Sequence, residues 1–152
     1  MSEWFSYDWE LGGLPARFHV DLSFQEAFDT LGDFTILLYA SCYSIRQDAS
    51  GFTGRERRQL ETVLKECLSA MGSKAVYVGY IEVQAQRRYY FYASGPRLLV
   101  PLMNVSEETD RFRVECVKAE EPNRQTYYRL LVPDRAKLQG TDNALYIRSL
   151  SD

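Results

Sequence analysis

Residues 87–94 read RRYYFYAS: Arg87 and Arg88, then four aromatics in succession. Tyrosine and phenylalanine are strong strand formers. In a strand, Tyr89 and Phe91 point one way and Tyr90 and Tyr92 the other, because side chains alternate between the two faces. The run is either an aromatic platform for a partner or the interior of a sheet covered on both sides. The preceding residues, 74–84, read KAVYVGYIEVQ and are equally rich in strand formers. With a turn at AQR between them, the two runs form a hairpin.

Working outward, residues 34–45 (FTILLYASCYSI) are the most apolar segment, as expected of a strand buried on both faces and central in its sheet. Thr53 and Glu56 then form a capping box, and Leu60, Val63, Leu64, Cys67, Leu68 and Met71 line one face of a helix that Gly72 ends. After the hairpin, Leu98, Leu99 and Leu102 suggest a second helix despite Pro101. Phe112, Val114 and Cys116 alternate with Arg111, Arg113 and Glu115 as in a half-buried strand. The order strand, helix, strand, strand, helix, strand predicts an α+β fold, a ferredoxin-like split βαβ sandwich. The expected single domain, 1–152, has this core at 34–120 and a β-hairpin extension at 1–33 built on Gly12-Gly13. Residues 121–152 add a C-terminal helical extension that starts at Pro122, stops at Pro133 and resumes over 143–150. The sheet face opposite the helices must be covered or left for a partner.

The chain has 152 residues, is 45% hydrophobic and carries a formal net charge of −3. That size suits one folded domain, and the charge lacks the basic excess typical of dedicated nucleic-acid binders. Cys42, Cys67 and Cys116 are widely spaced, odd in number and set in apolar patterns, so they read as core residues of a protein kept in the reducing cytoplasm. No apolar run has membrane-spanning length, and MSEWFSYDWE does not resemble a secretory signal.

Several chemistries find no support. A single histidine, His19, rules out two-histidine metal sites, and it reads as a strand residue beside Asp21. Phosphate-binding, dinucleotide-binding and nucleophile-elbow motifs are missing. The acidic pairs Glu107-Glu108 and Glu120-Glu121 fall at element ends, where carboxylates are ordinarily solvated or cap helices, and nothing in the sequence suggests burial. These readings predict no enzyme, no metal and no cofactor.

Several stretches together carry a resemblance. GGLPARFHVDL lies near the start, and Gly51-Phe52-Thr53 with Glu56 and Leu60 marks the helix entry. VGYIEVQAQRRYYFYAS spans the hairpin, and EPNRQTYYRLLVP occupies 121–133. In this order they resemble a bacterial family catalogued as a domain of unknown function (DUF 695), over most of the chain. Glu121, Pro122, Tyr127, Leu131 and Pro133 match its last signature, while Arg124 stands where the family pattern has tryptophan, which suggests a divergent member. The resemblance implies a cytoplasmic α+β domain without known catalytic residues. Some members look fused to a domain similar to a protein inhibitor of an RNA-degrading enzyme, which implies regulation through protein binding.

The expected function is therefore a protein-interaction or regulatory module. Its face is Arg87, Arg88, Tyr89 and Phe91, or else the loop from Arg46 to Phe52, because tyrosine and arginine are favoured at binding hot spots. Single-stranded RNA is the alternative partner for the aromatic face, with Tyr39 or Tyr43 as the second stacking residue. A small-molecule pocket under the N-terminal hairpin near His19 is the third.

Overall fold

A computed structural model of the chain describes residues 2–46, 50–108 and 112–134. Strands β1 (Trp4–Leu11) and β2 (Leu14–Asp21) form the N-terminal hairpin. Gly12 and Gly13 both take positive φ, +59° and +82°, as a two-residue hairpin turn with the twist of its strands requires. A short helix α1 (Phe24–Ala27) leads to β3 (Ile36–Ser44). Helix α2 (Gly54–Met71) follows, then β4 (Ala75–Val83), β5 (Gln86–Ala93), α3 (Leu99–Glu108) and β6 (Phe112–Glu120). The described chain closes with a π-helical turn, Thr126–Leu131.

All six strands pair antiparallel in one sheet, in the order β1-β2-β4-β5-β3-β6. β3 is internal, as its unbroken apolar run requires. The N-terminal hairpin covers nothing: β2 pairs with β4 and continues the sheet sideways. A bulge between Tyr77 and Gly79 resets the alternation along β4. Val78 and Ile81 thereby join one core, while Tyr77 and Tyr80 pack against the other. Gly79 has φ +154°, and a Cβ there would sit 2.3 Å from the His19 carbonyl oxygen of β2.

Two cores lie on opposite faces of the sheet. The helical face carries Leu38, Ala40 and Cys42 of β3 with Tyr89 and Phe91 of β5, packed with Leu60, Val63, Cys67 and Met71 of α2 and Leu102 of α3. Helix α2 starts on the capping box expected of it. The Thr53 Oγ accepts from the Glu56 N–H at 3.1 Å, and a Glu56 carboxylate oxygen accepts from the Thr53 N–H at 2.9 Å.

The second face carries Leu37, Val78, Ile81, Tyr90 and Tyr92, packed with Phe28, Tyr127 and Leu131 from the segments that follow β2 and β6. The C-terminal cover differs from the continuous helix expected from Pro122. The chain turns at 122–124, with Arg124 at φ 49°, before the π-helical turn. Glu121, which sequence placed as a solvated carboxylate, is buried. It accepts from the Tyr92 hydroxyl at 2.8 Å, the Thr126 N–H at 3.1 Å and the Thr126 hydroxyl at 2.5 Å. Three hydrogen bonds to one carboxylate explain why burial is tolerated. The helix expected over 143–150 lies outside the described residues.

Two predictions follow from this geometry. Gly79→Ala drives a methyl into the neighbouring strand, so its thermal midpoint falls by roughly 5–15 °C in a melt, whereas Gly32→Ala, with open space around it, is close to neutral. The second concerns Glu56. Burial alone would raise its carboxyl, but hydrogen bonds from Arg46, Ser44 and the Thr53 N–H outweigh that and hold it at about 2. A carboxyl depressed below its unfolded value of about 4.3 stabilises the fold above that pH, and the contribution is lost as pH falls toward 2. Urea titrations at stepped pH should show wild type losing stability across that window and Glu56→Gln losing less.

Candidate functional site

The strand β5 divides the run 87–92 between two environments. On the helical face, Arg87 is 4% exposed and lies 4.1 Å above the Tyr80 ring. It donates to Glu82 through two nitrogens, at 2.7 and 3.0 Å, and reaches Glu61 of α2 at 3.5 Å. Arg57 approaches the same Glu82 at 3.0 Å from the helix. Burial works against the Arg87 charge, but Tyr89, Tyr80 and Glu82 outweigh it and hold the guanidinium above the usual arginine range. Tyr89 and Phe91 are fully buried, and the Tyr89 hydroxyl donates to the Leu60 carbonyl of α2 at 3.0 Å.

This corrects the expected face. Arg87, Tyr89 and Phe91 are interior side chains under α2, where no base can stack and no partner can reach. Tyr39 and Tyr43 cannot complete a stacking platform with them, because they point to the opposite face. Of the four residues singled out from sequence, Arg88 alone belongs to that other face and remains partly open.

On the second face, the cover formed by α1 and the π-helical turn ends before the β4–β5 turn. What lies beyond it is a patch of arginines on tyrosines. Arg88 sits 4.4 Å above the Tyr39 ring, and Arg113 of β6 sits 4.5 Å above Tyr43. Tyr39 and Tyr90, direct partners across β3 and β5, have ring centroids 5.9 Å apart. The Arg88 Nε donates to the buried Ser41 hydroxyl at 2.7 Å. Beside them runs a groove of about 280 Å³ lined by Leu11, Ile81, Val83, Gln86, Arg88 and Tyr90. Leu11, at the end of β1, is 39% exposed.

Parity in β3 carried a signal for this patch. Leu38, Ala40 and Cys42 are apolar or small and meet α2, whereas Tyr39, Ser41 and Tyr43 share the other parity and all end in hydroxyls. A face lined by hydroxyl-tipped side chains is the one expected to meet water or a partner.

His19 lies on the helical face of the hairpin, beyond the edge of α2. Its ring stacks on Trp4 at 4.8 Å, leans on Tyr80 at 5.0 Å and shares a 2.6 Å hydrogen bond with the Ser6 hydroxyl. Burial first, then the charge of Arg87, lowers its pKa. Among the described residues no carboxylate orients the Ser6–His19 pair: Asp21 accepts instead from the Glu3 N–H, the Ser23 N–H and the Ser23 hydroxyl, at 2.9, 3.0 and 2.6 Å. The pair reads as cross-strand packing. In the loop expected as a second binding face, Arg46 is tied to Glu56 and Phe52 is buried, while residues 47–49 lie outside the described residues. Among the described residues, no group of three or more His, Cys, Asp or Glu side chains could hold a metal ion, and no helix is long and apolar enough to cross a membrane.

The chain belongs to the family of unknown function DUF695, whose model matches residues 2–132. No curated protein and no solved structure matches the chain. The stretches that carried the resemblance turn out to be structural: GGLPARFHVDL is the hairpin turn with β2, and EPNRQTYYRLLVP is the π-helical cover with its Glu121 anchor. Arg124 lies 4.2 Å over the Phe28 ring and donates to the Leu31 and Phe34 carbonyls at 2.7 and 3.1 Å, so it pins the cover to the segment after α1.

The two arginines should separate cleanly in denaturation. Arg87→Met leaves Glu82 buried beside only one cation and should cost about 3 kcal/mol in urea unfolding. Arg88→Met, which gives up the Ser41 hydrogen bond but no ion pair among the described residues, should cost on the order of 1 kcal/mol. Equal losses would contradict the division of the strand.

Proposed function

We propose that this chain is a non-enzymatic module that binds a partner protein through the uncovered half of its second sheet face, and that it regulates by binding rather than by chemistry. One observation carries the reading: Arg88 and Arg113 lie on Tyr39 and Tyr43 beside a part-aliphatic groove, on a sheet surface that the described helices leave open. Rigid tyrosines and arginines are the side chains that dominate protein interfaces. Single-stranded RNA fits less well. The faces of Tyr39 and Tyr43 on which bases would stack already carry guanidinium groups, Glu115 stands beside Arg113, and Leu11, Ile81 and Val83 make half of the groove wall aliphatic. Among the described residues, no nucleophile–base pair lines the groove. The proposal includes a ferredoxin-like core over 34–120. The order β4-β5-β3-β6, with α2 and α3 as its helical connections, supports it. The free thiols of Cys42, Cys67 and Cys116 support a cytoplasmic home.

Panning a displayed peptide library on the immobilised protein tests the reading. The expected result is a set of enriched peptides whose binding weakens on the order of tenfold in Tyr43→Ala. Labelled single-stranded RNA should not bind at 150 mM salt, about physiological ionic strength. Failure to enrich any peptide, or RNA binding that falls steeply with salt, would overturn it.

A further inference from the structure

Arg88 differs from its neighbours in how its charge is met. Arg46, Arg57 and Arg87 each have a carboxylate oxygen within 3.0 Å. Arg88 is partly buried, yet no carboxylate of the described residues forms an ion pair with it. Its Nε is used on Ser41, and the Tyr90 hydroxyl lies in hydrogen-bonding reach. A guanidinium has five N–H donors, so part of the fork remains to meet another group. Withdrawing a cation from water without a counter-charge is costly. Here the cation lines the 280 Å³ groove, whose other walls include Leu11, Ile81 and Val83.

We infer that Arg88 is the receptor for an acidic side chain of the bound partner, an Asp or Glu set next to an aliphatic residue in an extended segment. This rests on the reading of the open face as a docking surface and names what docks there. Charge complementarity selects the occupant. Arg113 lies at 4.0 Å from Glu115, which leaves one uncompensated positive charge in the groove. One charge matches a carboxylate rather than a phosphate monoester, which carries close to two negative charges at neutral pH. The aliphatic walls then take the neighbouring side chain.

The test uses three N-acetylated peptides as probes in NMR titrations of the whole protein: acetyl-Leu-Glu-Leu-amide, its Gln counterpart, and acetyl-Leu-Gln-Leu with a free terminal carboxylate. The Glu peptide should shift the Arg88 Nε–H signal together with the Leu11, Ile81 and Val83 methyls. It should bind on the order of tenfold more tightly than the Gln amide. Arg88→Gln should erase that difference and Arg88→Lys should retain part of it. The wild-type comparison stands even where a variant folds poorly. Equal shifts of the groove methyls by the Glu and Gln amides would overturn the inference while leaving the docking face intact. Tighter binding of the free-carboxylate peptide would overturn the choice of a side chain over a chain terminus. Silence at the groove from all three overturns the inference; the docking face itself stands or falls on the displayed library.

Discussion

The hydroxyl of Tyr89 reaches the Leu60 carbonyl at 3.0 Å, and that contact sets the disposition of the whole sheet. It holds β5 against the middle of α2. Because side chains alternate along a strand, sealing Tyr89 also seals Arg87 and Phe91 and turns Arg88, Tyr90 and Tyr92 to the other side. Antiparallel pairing carries the same parity into β3, where Tyr39 lies opposite Tyr90, and on to β6. The arginine that enters the interior is then obliged to bring acids with it. Glu82 from the adjacent strand and Glu61 from the helix meet that demand, and Arg57 balances the second oxygen of Glu82. The arginine that faces outward carries no such obligation within the described chain.

The extent of the second face's cover is decided by tyrosine hydroxyls. Tyr92 donates to Glu121 and accepts from the Tyr127 N–H, Tyr127 donates to the Asp21 carbonyl, and Tyr7 donates to the Leu131 carbonyl. A π-helical turn needs such partners because its backbone spacing is unusual. Tyr92 and Asp21 lie at the strand ends away from the β4–β5 turn, while Tyr7 stands in the row of Ile81 and Arg88, so the cover reaches that row through Leu131. The open half follows from where the anchors are. It coincides with the place where arginines lie on tyrosines.

Much of the fold was legible because it rests on local patterns. The capping box at Thr53, the helix face from Leu60 to Met71, the Gly12-Gly13 hairpin and the central strand 36–44 each announce themselves within a dozen residues. That the aromatic run fills a sheet covered on both sides was one of the two readings its sequence left open, and the burial of Tyr89, Tyr90, Phe91 and Tyr92 bears it out; which of its residues stay within reach of a partner was not legible. Period-two alternation says that Tyr89 and Phe91 share a face, but which face α2 takes depends on long-range pairing. Hence Arg87, Tyr89 and Phe91 were grouped as a surface when they are interior. Burial of Glu121 was hidden for a similar reason: its hydrogen-bond partner Tyr92 lies 29 residues away. Arg88 and the parity of Tyr39 and Tyr43 were present in the sequence. They gained meaning only once β3 and β5 were paired in register.

Tyrosine footprinting by brief oxidative labelling of the native protein, read by mass spectrometry, tests the central division most directly. Tyr39 and Tyr43 should label readily and Tyr89 and Tyr92 should stay protected until the protein unfolds. Labelling of Tyr89 at the rate of Tyr43 in the folded protein would contradict the account, because the aromatic run would then face solvent on the side assigned to α2.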